Sequence, residues 1–266
     1  MSTDMPTEPK VIAVIPARWA SSRFPGKPLA LISGRPMIHW VAEQASKSQS
    51  VSEVIVATDD SRIYESVSQG GWQVVMTSPD HASGTDRIVE VVESMDCDIV
   101  VNVQGDEPMI PPENIDLIVQ ALQNNPDAPV STLMIAITDR NEMLNPNATK
   151  VVVDQTGQAL YFSRAPIPFD RDGESETKTD SQDSAERDIL GYKHIGLYAY
   201  RKSFLHQFPK LQTSRLEQAE KLEQLRILEN GFSIRVVETK LNSIGVDCEA
   251  DRVKVEHLLN QQQTNP

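Results

Sequence analysis

The chain has 266 residues, 39% hydrophobic but only 5% aromatic, which suits one large α/β domain with an aliphatic core. Its net charge of −13 excludes a general nucleic-acid binder, which needs a basic face, and leaves a small anionic ligand open because local cations decide that. Cys97 and Cys248 stand far apart in no metal-like spacing, the first ten residues lack an apolar signal core, and no run approaches the ~18 apolar residues of a membrane span; the expectation is a soluble cytoplasmic protein with unpaired thiols and no membrane insertion.

Residues 1–10 read as a flexible polar tail containing prolines. An apolar, β-rich run over 11–15 then stops at Pro16 and feeds a loop holding Arg18, Arg23 and Lys27 among small residues, Gly26 and prolines. Three cations at the carboxyl end of a strand form a grip for a polyanion such as a nucleoside triphosphate. The loop is neither a Walker A loop, because Pro28 follows Lys27 and the upstream glycine is missing, nor a GxGxxG turn. The alternative is a surface turn with ordinary exposed cations.

Further strands are predicted over 53–57, 74–76, 99–103, 130–137 and 150–153, and helices over 36–46, 60–69, 84–94 and 113–123. This alternation implies right-handed crossovers and a mostly parallel sheet with helices on both faces. The stretch 170–188 is polar, charged and almost without apolar residues, and reads as a solvated loop. A strand over 192–200, a helix over 215–230 stopped by Asn230-Gly231, a strand over 233–238 and a closing helix over 251–261 complete the chain. The triplet Asn147-Ala148-Thr149 fits a glycosylation sequon, which carries no meaning without secretion.

Several segments could carry chemistry. Ser83 and Gly84 sit in a run of small hydroxyl residues that either lets a ligand approach the backbone or merely caps the helix that begins near Asp86 and Arg87. The strand ending in Gln104-Gly105-Asp106-Glu107 offers Asp106 to Mg²⁺, which favours one or two carboxylates with phosphate oxygens; a turn aspartate is the alternative. Arg164, between an aromatic run and two prolines, could fork onto a carboxylate or phosphate, or form a structural ion pair. In the strand that follows, His194, Gly196, Tyr198 and Tyr200 share one face, although a satisfied core histidine is the commoner case. Leu216, Leu222 and Leu225 form an apolar stripe, and most charges around them belong to a solvated helix face. Asp247 closes another short apolar approach and could be a second metal carboxylate.

Taken together, the segments IPARxxSxRxPGKPL, ATDD, MTSPDHxSGTDR, VNVQGDEPMIPP, NPNxxKVV, ALYFSRAPIP, HIGLYAY, LEQxEKLEQLRxLENG and GVD, in this order from residue 11 to 259, resemble the 3-deoxy-manno-octulosonate cytidylyltransferases. The CMP-sialate synthetases share the style of the first loop but not the QGDEP, FSRAPIP and KLEQLR set. The resemblance implies an α/β fold, a Rossmann-like nucleotidyltransferase with a mixed, mostly parallel sheet flanked by helices. It implies a single domain over 11–262, with a sugar-binding and dimerisation subregion at about 130–240, and a homodimer. It implies transfer of CMP from CTP to the anomeric hydroxyl of 3-deoxy-D-manno-octulosonate (Kdo), releasing pyrophosphate and giving the CMP-Kdo used in lipopolysaccharide core synthesis.

The same resemblance implies the residue roles. Arg18 and Lys27 match phosphate-contacting positions, with Arg23 in support. Pro16, Ala17, Ser83 and Gly84 match the region that meets the cytidine. Asp106 and Asp247 match carboxylates for Mg²⁺, and with Arg18 and Lys27 form the catalytic set. Arg87, Gln104, Arg164, His194, Tyr198, Glu223 and Gln224 match the sugar side, Arg164 facing the sugar carboxylate. The chain departs from the family pattern after Asp247, where Cys248-Glu249-Ala250-Asp251 replaces a proline-containing helix start and leaves the capping there open. The loop 170–188 is also longer and more acidic than the pattern, and the N-terminal tail is an addition. Transfer to an 8-amino form of Kdo or to a sialic acid is the first alternative, and a non-catalytic nucleotide sensor the second.

Overall fold

A computed structural model of the chain describes residues 9–20, 24–81, 83–171 and 189–264. Arg23, and most of the expected tail and of the 170–188 loop, lie outside the described residues.

The first half winds as its apolar runs dictate. Strand β1 (Val11–Ala17) leads, through a 3-10 turn at Lys27–Leu29, to a small hairpin, β2 (Leu31–Ile32) and β3 (Arg35–Pro36). Ser33 and Gly34 turn that hairpin with positive φ of 49° and 78°, the conformation that a Ser-Gly pair favours. Helix α1 (Met37–Ser46), β4 (Glu53–Thr58), α2 (Ser61–Gln69), β5 (Gln73–Met76), α3 (Gly84–Val92), β6 (Ile99–Asn102) and α4 (Pro112–Gln123) follow. Asp60 caps α2 by accepting the Arg62 N–H, and Pro112 opens α4 at a position where its missing N–H costs nothing.

The second half is more antiparallel. It runs through β7 (Val130–Ile137), α5 (Arg140–Leu144), β8 (Lys150–Val153), β9 (Ala159–Ser163), β10 (Gly191–Arg201) and α6 (Lys202–Leu205). Then come α7 (Arg215–Glu220), α8 (Gln224–Glu229), β11 (Ile234–Glu238) and α9 (Glu249–Thr264).

The sheet order is β11-β7-β10-β6-β1-β4-β5, with β8 beside β10 and β9 beside β8. Strand β1 is parallel to β4 and β6, β5 to β4, and β11 to β7, whereas β10 is antiparallel to its neighbours. Alternation along β1 sends Ala13 and Ile15 to the face covered by α1 and α4, and Ile12 and Val14 to the face covered by α3. All four are fully buried, each large side chain worth roughly 1.5–3 kcal/mol of burial. From β1 the chain moves to β4 and β5 on one side, and β6 returns on the other. The crevice at the carboxyl ends of β1 and β6 is therefore a topological switch point, where ligands bind in open α/β sheets.

One expectation is corrected here, and one open point is answered. The helix over 215–230 is two helices, broken at Lys221, which takes the left-handed conformation (φ 55°, ψ 46°). The break turns Leu222 and Leu225 into the core, and Arg226 bridges it by gripping the Glu217 carboxylate with two bonds of 2.8 and 2.5 Å. The capping left open after Asp247 is supplied at the start of α9. Asp251 accepts the backbone N–H groups of Asp247 and Cys248, both at 3.0 Å, in place of the proline. Val255 and Leu259 of that helix pack with Ile32, Met37 and Val246, tying the C-terminal segment to the hairpin beside the switch point.

Candidate active site

The cationic loop is built around Trp19. Gly26 donates its N–H to the Trp19 carbonyl at 3.0 Å, and a Cβ on Gly26 would stand 2.9 Å from the indole, so only glycine fits at its φ of 70°. The Arg62 guanidinium lies over the Trp19 ring at 3.4 Å, held there by Asp60. Within this frame Arg18 donates to the His81 carbonyl at 3.1 Å, and Lys27 reaches across to two acids.

Those acids are Asp106 and Asp247. Lys27 Nζ is 2.6 Å from Asp106 Oδ2 and 3.4 Å from Asp247 Oδ1. The main chain places them together: Val246 donates its N–H to the Asp106 carbonyl at 2.8 Å. Gly105 lets the β6 loop pass over β1, since a Cβ there would stand 2.8 Å from the Pro16 carbonyl oxygen. Gly84 abuts the same proline, with its hypothetical Cβ 3.6 Å from the ring. Pro16, Gly84 and Asp106 are thus brought to one crevice, and Ser83 caps α3 beside it in a reciprocal box with Asp86.

Two carboxylates that one ammonium can bridge could also hold a compact cation. No group of three or more metal-ligating side chains occurs among the described residues. That donor set fits Mg²⁺, which keeps waters and takes one or two carboxylates together with phosphate oxygens. Glu107, the second acid of the motif, turns inward, where burial pushes its carboxyl up to about 7.

Next to the acids lies a cavity of about 500 Å³, lined by Gln104, Arg164, His194, Tyr198, Glu223, Gln224 and Asp247. Six of the seven residues expected on the sugar side therefore meet around one volume, with a metal-candidate acid at its edge. A slightly larger hollow, about 580 Å³, lies at the amino ends of the strands. Its Arg201 is committed to the carbonyls of Leu122 in the last turn of α4 and of Asn125 and Ala128 beyond it.

In the working cavity, no acid among the described residues is bonded to the Arg164 guanidinium. Nε donates to the Glu220 carbonyl at 2.7 Å and Nη1 to the Pro146 carbonyl at 3.0 Å. The Glu220 carboxylate is occupied instead by the Ser163 hydroxyl and the Arg164 backbone N–H. Gln104 donates to the Gly196 carbonyl at 3.2 Å, at the bulge where β10 shifts register between Ile195 and Tyr198. Burial holds the Glu223 carboxyl above its ordinary range, with the Thr85 hydroxyl donating to it at 2.6 Å. Burial likewise raises the Tyr198 hydroxyl well above the usual phenol value, so it stays a donor.

His194 is a neutral polar contact. Its Nε2 is 2.9 Å from Thr132 Oγ1, whose hydrogen goes to the Leu197 carbonyl at 2.8 Å, so Nε2 carries the proton and Nδ1 is left as an acceptor. Burial pushes its pKa down to about 3. Because the folded value lies below the unfolded one, the contribution to stability is complete above about 6.5 and is lost as pH falls toward about 3. Urea melts of the native chain and His194→Gln should diverge over that window, the native chain losing up to ~1.4 kcal/mol more per pH unit. Parallel pH profiles would exclude the buried neutral histidine.

Arg87 is the correction among the site residues. It is 0% exposed and does not line the cavity. Its guanidinium pairs with Asp59 at 2.8 Å and with the Thr77 hydroxyl, locking α3 to the ends of β4 and β5. Its neighbours Asp86 and Gly84 serve the crevice, but helical spacing turns Arg87 into the core. Residues not anticipated include Thr132, which fixes the His194 tautomer, Thr85, which joins α3 to Glu223, and the Trp19–Arg62 stack.

A parallel switch-point crevice with cations, paired carboxylates and an adjoining polar cavity defines a nucleotidyltransferase. A family model described as Cytidylyltransferase matches residues 12–239. The 3-deoxy-manno-octulosonate cytidylyltransferase of Geobacter sulfurreducens is 52% identical over 92% of this chain and 97% of its own length. The protein of that name from Geobacter metallireducens is 50% identical over 95% and 98%. A solved structure of CMP:2-keto-3-deoxy-manno-octonic acid synthetase complexed with CTP superposes with a TM-score of 0.86 at 44% identity, covering 95% of this chain and 99% of that one. The chain belongs to the 3-deoxy-manno-octulosonate cytidylyltransferase family.

Proposed function

We propose that the chain transfers CMP from CTP to Kdo in the presence of Mg²⁺, acting as a cytoplasmic homodimer whose product feeds lipopolysaccharide core synthesis. The observation that carries this reading is one cavity with Arg164 on its wall and Asp247, within reach of Lys27, at its edge. A sugar acid held by the first is thereby presented to phosphoryl chemistry at the second.

The anomeric hydroxyl gives up its proton to solvent as its oxygen attacks the α-phosphorus, the bond from that phosphorus to the bridging oxygen breaks, and pyrophosphate leaves with the electron pair. Mg²⁺ at Asp106 and Asp247 would supply charge neutralisation on the phosphates and lower the pKa of the attacking hydroxyl. Lys27 and Arg18 bind the triphosphate, Lys27 exchanging its acids for phosphate oxygens. Arg164 receives the sugar carboxylate in a fork, and Gln104, His194, Tyr198, Glu223 and Gln224 hold the hydroxyls. Positioning and charge carry the reaction, so no covalent nucleophile is needed.

The test is pyrophosphate release with CTP, Mg²⁺ and a panel of Kdo, 8-amino-Kdo and a sialic acid. Release with Kdo well above the others supports the reading. Release only with the amino sugar selects that substrate, and no release with any of them overturns catalysis.

A further inference from the structure

Lys150 is 0% exposed and, among the described residues, has no acid bonded to its ammonium. Its Nζ instead meets the carbonyls of Asn145 at 2.9 Å, Ala148 at 2.6 Å and Arg164 at 2.6 Å. Three acceptors require three N–H donors, which an ammonium has and a neutral amine lacks. Burial, with the Arg164 charge beside it, lowers the lysine pKa, and the three carbonyls offset that cost.

The same turn is gripped twice. Lys150 holds it at Asn145 and Ala148, and the Arg164 guanidinium holds it at Pro146. Arg164 is in turn fixed at its backbone oxygen by Lys150 and at its backbone N–H by Glu220. In the sheet, Lys150 stands opposite Ser163, next to Arg164, and the adjoining Thr149 carbonyl accepts the His194 N–H at 2.8 Å. One buried ammonium thus sets the turn, the arginine and the strand that carry the cavity wall. Among the described residues, the two cations share this wall with the Glu220 carboxylate, and Glu223 and Asp247 line the same cavity.

We propose that Lys150 is a positioning residue for recognition of the substrate's carboxylate: it aims the Arg164 guanidinium into the cavity and adds a second positive charge behind it. The inference rests on the reading of the cavity as a sugar-acid site. It extends that reading to a residue that touches no substrate.

Steady-state kinetics of Lys150→Met, with Kdo and with its carboxamide, test the proposal. KM for Kdo should rise about 10- to 100-fold, the range for losing a supporting partner, while KM for CTP stays within about twofold. The preference for Kdo over the carboxamide, as a ratio of kcat/KM values, should fall at least about tenfold, which a merely structural role would not produce. Lys150→Arg keeps the charge but cannot meet three carbonyls around one nitrogen, so it should fold and show at least an about fivefold higher KM for Kdo alone. Unchanged Kdo affinity and acid-over-amide preference in either folded variant would overturn the proposal, as would loss of fold in both. Turnover of Kdo by the native chain, run alongside, tests the functional reading separately.

Discussion

Asp106→Asn is expected to lower turnover by at least ~10³-fold while leaving the protein folded. The amide keeps the shape of the side chain but removes the charge that a divalent ion needs, and Asp247 alone cannot replace a pair. Stability should change little, because the Lys27–Asp106 contact is partly exposed and exposed ion pairs contribute ~0–1 kcal/mol. The Val246 N–H to Asp106 carbonyl bond is a main-chain bond and survives the substitution. A melting temperature within a few degrees of native, together with lost turnover and a raised Mg²⁺ requirement, is the expected result. Near-native turnover would remove Asp106 from the metal site.

Arg164→Ala is expected to raise KM for Kdo about 100-fold with little change in KM for CTP. A charge-assisted fork on a carboxylate contributes roughly 1.5–3 kcal/mol, about 10- to 100-fold in affinity. Among the described residues the guanidinium's partners are the carbonyls of Glu220, Pro146 and, at 3.5 Å, Lys221, which a carboxylate can displace. The substitution also frees those carbonyls at the cavity edge, so Arg164→Lys is the stricter variant. It keeps one charge and loses the fork, and should recover less than half of the lost binding energy. Equal rises in KM for both substrates would show that Arg164 holds the fold of the wall rather than the sugar.

Much of the architecture was legible because apolar runs and their punctuation are local signals. Strands β1, β4, β6 and β7 and helices α1 to α4 fall within a residue or two of the expected ranges, apart from the strand and helix ends that tertiary contacts set. The β2–β3 hairpin has only the local signal of Ser33-Gly34, since strands of two residues carry no alternation to read. The break at Lys221 had none: the amphipathic pattern runs on through 215–230, and only the core that takes Leu222 and the cavity that takes Glu223 and Gln224 require it. Arg87 misled for the opposite reason. Its neighbours in sequence belong to the crevice, and whether an arginine on a short helix faces ligand or core depends on Asp59 and Thr77, which are remote in sequence.

The site itself was legible as residue types and not as geometry. Asp106 and Asp247 are 141 positions apart, and only the bond from Val246 to Asp106 puts them under one lysine. Lys150 was invisible as anything but a surface cation, because a lysine is charged in sequence whether it is solvated or enclosed by carbonyls.

The most direct test of the account is ³¹P NMR of the purified protein with CTP, Mg²⁺ and Kdo. The account predicts that CTP resonances give way to pyrophosphate and to one new CMP phosphodiester resonance in equal amounts, matching the Kdo consumed. Persistence of CTP, or pyrophosphate without the phosphodiester, would contradict it.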